Sequence, residues 1–133
     1  MHAISTFLKL VAPIFWIVGA FHLIFGLSAD VMLGANISAT TITDPGLDSQ
    51  NRFYGVAFTL YGTLLFICAS DLAKYRSVVM CLLWTFFAAG LARLVSIATF
   101  GMPPPPILAL LAIELIAPPL VICGLNKVTN DSK

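Results

Sequence analysis

The sequence is poor in charge. Charged residues make up 10% of its 133 residues, hydrophobic residues make up 59%, and the mean hydropathy is +0.98. Because soluble domains carry about 25% charged residues, this composition excludes an ordinary soluble domain and predicts an integral membrane protein. The net charge of +1 is spread along the chain, which excludes nucleic-acid binding, since that function needs a clustered basic surface.

Cysteines and recognisable catalytic motifs are also scarce. The three cysteines, Cys68, Cys81 and Cys123, form no CxxC pair, and we interpret them as small apolar packing residues. The sequence contains no nucleophile elbow, metal-binding motif or nucleotide-cofactor fingerprint. We therefore predict no metal site and no cofactor.

What the sequence does contain is four long apolar segments, at about 8–29, 53–70, 77–100 and 106–125. In lipid the backbone must satisfy its own hydrogen bonds, so segments of this length predict helices. We predict an all-α, integral membrane four-helix bundle, a single transmembrane domain over residues 1–133 with an external loop at 30–52. The first segment resembles the apolar region of a signal peptide but is longer, so we expect a retained helix.

Lysine and arginine residues near the ends of these segments predict the orientation. If the segments alternate in direction, one side of the membrane carries Lys9, Lys74, Arg76, Lys127 and Lys133, and the other carries Arg52. Basic residues are enriched in cytoplasmic loops. We therefore predict that both termini are cytoplasmic.

Two charged residues, Arg93 and Glu114, lie inside apolar segments. A charge within the bilayer costs about 2.5–3.5 kcal/mol on insertion scales, so it persists where it is paired, hydrated or functional. With the rise of an α-helix, each residue lies about 10 Å from the external end of its helix. The same count places His22 and Tyr61 at this level, and we predict one polar layer to which all four helices contribute.

Further polar residues lie towards the external side of this layer, and Pro118 and Pro119 follow Glu114. The prolines leave two backbone carbonyls of the last helix without donors and predict a kink there. In the external loop, Asp44-Pro45-Gly46 is typical of a turn, and the loop either covers the site or is a passive connector. The candidate ligand-binding residues are His22, Asn51, Arg52, Tyr54, Tyr61, Arg93, Ser96 and Glu114. The alternative is that Arg93 and Glu114 form a purely structural ion pair.

Small residues recur at helical spacing on the first two segments. They are Gly19, His22, Gly26 and Ala29 on the first segment, and Gly55, Thr59 and Gly62 on the second. Small residues let helix backbones approach closely in lipid. They predict either packing within the bundle or dimerisation, and we favour packing within the bundle.

Three segments carry a family resemblance: Asn51-Arg52-Phe53-Tyr54-Gly55, Gly90-Leu91-Ala92-Arg93-Leu94-Val95-Ser96 and Glu114-Leu115-Ile116-Ala117-Pro118-Pro119. With these segments the chain resembles a bacterial family of small four-helix membrane proteins, the domain-of-unknown-function family DUF4345. The resemblance covers nearly the whole chain. It implies a protein of the bacterial inner membrane and supplies no activity, so function has to be inferred from the residues themselves.

Three functions remain open from the sequence. The first is binding of a hydrophobic or amphipathic small molecule, such as a lipid, quinone or sterol-like compound, at the Arg93, Glu114 and His22 layer. The second is an accessory subunit of a larger membrane complex, or a homo-oligomer. The third is an isomerase- or hydrolase-like membrane enzyme that uses Glu114 and His22, with catalytic residues otherwise unknown. Membrane lipids are expected partners in all three.

Overall fold

The computed structural model describes residues 1–130, with side chains described as far as Lys127. Within this range the chain forms helices and no strand. The helices are α1 (His2–Phe25), α2 (Ser28–Met32), α3 (Ala39–Ile42), α4 (Pro45–Ser70), α5 (Arg76–Phe100) and α6 (Pro105–Asn130). The predicted all-α class is confirmed.

Four of these helices, α1, α4, α5 and α6, are long and apolar enough to span a membrane. Large apolar side chains cover their outward surfaces; Leu10 and Phe100, for example, are 71% and 87% exposed. In water such surfaces would be strongly unfavourable, whereas in a bilayer the lipid tails cover them. These features support an integral membrane protein built as a four-helix bundle.

The first helix lies about a turn and a half closer to the N-terminus than predicted. It runs over His2–Phe25 instead of 8–29, because Gly26 ends it with a φ of 56°. That left-handed conformation suits glycine, and the Gly26 N–H closes the helix on the His22 carbonyl at 2.8 Å. Hydropathy alone located the apolar segment but did not reveal that the backbone conformation of Gly26 ends the helix.

The second long helix begins earlier than predicted, at Pro45 instead of residue 53. The interpretation of Asp44-Pro45-Gly46 as a turn is therefore wrong. Asp44 is the N-cap of α4, where its Oδ1 accepts the Leu47 N–H at 2.8 Å, and Pro45 occupies the first turn. Proline suits that position because it lacks an N–H that the helix would leave unbonded anyway.

The third long helix, Arg76–Phe100, matches its predicted range to within one residue. The fourth begins at Pro105, as expected, and continues to Asn130 instead of ending near 125. Polar residues such as Asn126 and Lys127 end the apolar segment, but they are compatible with helix and do not end it. Lys133, which contributed to the orientation prediction, lies outside the described residues.

The bundle consists of two helical hairpins, α1 with α4 and α5 with α6, and the α1–α4 interface is the largest. Glycines bring α1 and α4 together. A Cβ added at Gly19 would lie 2.6 Å from the Gly55 carbonyl oxygen, and one added at Gly62 would lie 2.8 Å from the Ala12 carbonyl oxygen. Packing of the small residues within the bundle is thus confirmed.

The hairpins share a core near the chain termini. We call this end of the bundle the termini end, and the end that carries α2, α3 and the α5–α6 connection the loop end. The core residues from all four long helices and the α4–α5 connection are Leu8, Ala12, Leu65, Cys68, Ala69, Leu72, Val79, Leu82, Leu83, Ile122 and Leu125. Among the cysteines only Cys68 is buried; Cys81 and Cys123 are exposed, so the packing interpretation is wrong for these two.

Candidate functional site

Arg93 and Glu114 form a charged pair between α5 and α6. Arg93 Nε donates a hydrogen bond to Glu114 Oε2 at 2.7 Å. The Glu114 side chain is 5% exposed and that of Arg93 is 32% exposed. The sequence left open whether Arg93 pairs with Glu114, and in the structure the two are bonded at a distance typical of a charge-assisted hydrogen bond.

Gly90 makes room for this pair. It lies one helical turn before Arg93, and a Cβ added there would come within 3.1 Å of the Glu114 Cβ and 2.8 Å of Leu115 Cδ2. A Cβ at this position would require the Leu115 side chain to move and the Glu114 Cβ to shift by a few tenths of an ångström. The segments around Gly90 and Glu114, two of the three that carry the family resemblance, therefore meet at one helix contact.

The charged pair leaves hydrogen-bonding atoms unused. Nη1 and Nη2 of Arg93 and Oε1 of Glu114 have no hydrogen-bond partner among the residues whose side chains are described, 1–127. The Glu114 side chain is almost fully buried and that of Arg93 is one-third exposed, so Arg93 is the more accessible member of the pair. The site thus offers the hydrogen-bond donors of Arg93, while the Glu114 carboxylate is buried.

A second polar group lies at the loop end and includes two of the predicted site residues. His22, which is 6% exposed, donates from Nδ1 to the Val18 carbonyl at 2.9 Å. Its Nε2 lies 3.6 Å from Asp30 Oδ1, and Asn51 Nδ2 donates to Asp30 Oδ2. We call His22, Asp30 and Asn51 the loop-end cluster. Asn51 Oδ1 is buried and has no partner in the described part of the chain.

Arg52, on α4, forms hydrogen bonds to the end of α1. Its Nη1 donates to the Leu23 and Ile24 carbonyls at 2.5 and 3.2 Å, and its Nε donates to Asp48 Oδ2 at 2.8 Å. Asp48 Oδ1 also accepts the Leu27 N–H at 3.1 Å. These bonds satisfy backbone groups that the end of α1 leaves without helical partners, so Arg52 and Asp48 act as a cap supplied by another helix.

Three further predicted residues have separate environments. The Tyr61 hydroxyl donates to the Leu82 carbonyl at 2.7 Å, which ties α4 to α5. Tyr54 is exposed and accepts a hydrogen bond from Gln50 at 3.2 Å. Ser96 is exposed on α5. The structure thus joins Arg93 to Glu114, but the prediction of one polar layer is wrong. His22 lies in the loop-end cluster and Tyr61 lies beside the core near the termini end, because α1 ends and α4 begins earlier than predicted.

An apolar groove lies between α1 and α6, with a volume of about 570 Å³. Residues 3–7 of α1 and 112–121 of α6 line it. Ile113, which is among these residues, directly precedes Glu114, and Ala117 follows it by three positions. The groove thus reaches the turn of Glu114 on a different face of α6, and neither Arg93 nor Glu114 lines it.

The sequence-based candidates omitted Asp30 and Asp48, although both bond to predicted residues. Asp48 had a usable signal, since it precedes Arg52 by four residues, the spacing of an ion pair on one helix face. Asp30 had none. It reaches His22 and Asn51 only because the chain turns back at Gly26 and α4 then packs against α1.

Comparison with known proteins finds one family. The family model described as Domain of unknown function (DUF4345) matches residues 4–125. Searches of curated proteins and of solved structures give no match.

Proposed function

Since the chain belongs to this family of unknown function, we propose its role from its own residues: it binds an amphipathic small molecule, such as a lipid, quinone or sterol-like compound, through Arg93. The protein would act within the inner membrane of a bacterium, with both termini in the cytoplasm. The polar head of the ligand accepts hydrogen bonds from the guanidinium group, and its apolar body lies among the helices.

The observation that carries this proposal is the unused half of the Arg93 guanidinium. Arg93 lies about 10 Å from the loop end of α5, inside a membrane-spanning helix. Donors at such a depth cost free energy unless an acceptor meets them, because lipid tails offer none. Glu114 satisfies only Nε, so a ligand acceptor at Nη1 and Nη2 would complete the site.

The groove between α1 and α6 supports the proposal that the apolar body of the ligand lies among the helices. Its volume of about 570 Å³ is within the usual range for small-molecule sites. Its lining is apolar and reaches the helical turn that carries Glu114, although neither Arg93 nor Glu114 lines it. Binding sites of this kind combine an apolar enclosure with a few polar groups that fix the orientation.

Native mass spectrometry of gently solubilised protein tests this function. The test variant is Arg93→Met/Glu114→Met, which removes both charges together and leaves neither buried without a partner. The matched control is Arg76→Met, because Arg76 lies on the same helix and also bonds to α6, through Nη2 to Asn126 Oδ1 at 2.7 Å.

We expect wild-type protein and the Arg76 variant to carry the same bound amphiphile, and the double variant to lose it while unfolding at a similar temperature. Equal ligand occupancy in all three proteins would refute a role for Arg93. Bare wild-type protein, or wild-type protein that carries another polypeptide, would favour the accessory-subunit interpretation instead.

A further inference from the structure

The charge balance of the Arg93–Glu114 pair indicates which chemical class of ligand head the site prefers. Resting on the proposed function, we propose that the site selects an uncharged head with a carbonyl acceptor, as in an ester, ketone or quinone, and discriminates against anionic heads such as carboxylates and phosphates. Arg93 would otherwise be expected to attract an anion, since guanidinium groups are common binders of both. The position of Glu114 changes that expectation.

Glu114 already neutralises Arg93. The two side chains are joined at 2.7 Å, and among the charged residues of the described chain no second base pairs with them. An anionic head at Nη1 and Nη2 would make the site one positive and two negative charges. In a bilayer that net charge is unfavourable, whereas a neutral carbonyl leaves the site neutral.

Burial makes the repulsion between the two anions strong. The Glu114 side chain is 5% exposed, so little water screens its charge from a head bound at the same guanidinium. Charges a few ångströms apart interact far more strongly in such surroundings than in water. A neutral carbonyl oxygen is not repelled by the Glu114 carboxylate and can still accept hydrogen bonds from Nη1 and Nη2 of Arg93.

A matched pair of probes separates charge from shape. Methyl palmitate and palmitate have the same chain and differ in whether the head is a neutral ester or a carboxylate. Binding of each is measured by isothermal titration in a neutral detergent at neutral pH, with wild-type protein, Glu114→Gln and Arg93→Met/Glu114→Met. Glu114→Gln keeps a carbonyl acceptor for Arg93 Nε and removes the negative charge.

We expect wild-type protein to bind the ester at least about tenfold more tightly than the carboxylate, and Glu114→Gln to reverse that preference. The double variant should bind neither probe specifically. A wild-type protein that binds palmitate as tightly as the ester, through Arg93, would overturn the selectivity and leave the proposed function standing.

Two other results would also count against the inference. If Glu114→Gln keeps the ester preference, the selectivity does not come from the carboxylate. If neither probe binds to wild-type protein in a way that the double variant abolishes, both the selectivity and the proposed function fail.

Discussion

Removal of one partner from the charged pair should be far more harmful than removal of both. Arg93→Met leaves the Glu114 carboxylate, 5% exposed, without its cation, which should cost about 3–5 kcal/mol of unfolding free energy. Glu114→Met leaves a guanidinium that is 32% exposed and can extend along its flexible side chain towards the water at the loop end. Its cost should be about 1.5–3 kcal/mol, the value of one charge-assisted hydrogen bond.

The double variant Arg93→Met/Glu114→Met should stay within about 1 kcal/mol of wild type, because an apolar pair of similar size can replace a buried ion pair without net loss. Equilibrium unfolding in mixed micelles with increasing sodium dodecyl sulfate, followed by far-ultraviolet circular dichroism, measures all four proteins. The refuting result is a double variant as unstable as the sum of the two single variants. Equal losses from the two single variants would contradict the burial argument.

Three other changes probe the packing of the bundle. Gly19→Ala should lower the unfolding free energy by about 1–3 kcal/mol, because it forces α1 and α4 apart. The control is Gly124→Ala, where the added Cβ would meet the flexible end of Ile4 at 3.2 Å. It should cost less than about 1 kcal/mol in the same unfolding assay. Arg52→Met should lower the melting temperature and speed hydrogen exchange at the end of α1, and unchanged exchange there would show that the cap is dispensable. Tyr61→Phe should cost about 1 kcal/mol through the lost bond to the Leu82 carbonyl, and an equal stability would mean that lipid or water replaces it.

The sequence predicts best what depends on composition and on charge in lipid. Apolar length identified the four long helices, and the cost of isolated charges singled out Arg93 and Glu114, whose pairing the structure then showed. The helix ends were harder, because Gly26 and Asp44 act through backbone conformation and capping, which hydropathy does not record. A helix also continues past its apolar segment wherever polar residues accept helical geometry, as α6 does.

The partners of the remaining polar residues were less accessible to sequence reasoning. Counting residues gives depth only if the helix ends are right, and here two of them were wrong. With α1 ending at Phe25 and α4 beginning at Pro45, His22 lies at the loop end and Tyr61 reaches Leu82, about 16 Å along α5 from Arg93. The bonds that His22 and Tyr61 make depend on how the hairpins are packed. A sequence contains this information only indirectly, through stripes of small residues such as that around Gly55.

The unequal interfaces of the two hairpins have a consequence for biogenesis. All the glycine contacts between α1 and α4 involve residues 12–62, so the first hairpin is complete in sequence before α5 is synthesised. It can therefore close in the bilayer during translation and offer a preformed surface to the helices that follow. The second hairpin has to insert together with the Arg93–Glu114 pair, because each charge is easier to bring into lipid alongside the other.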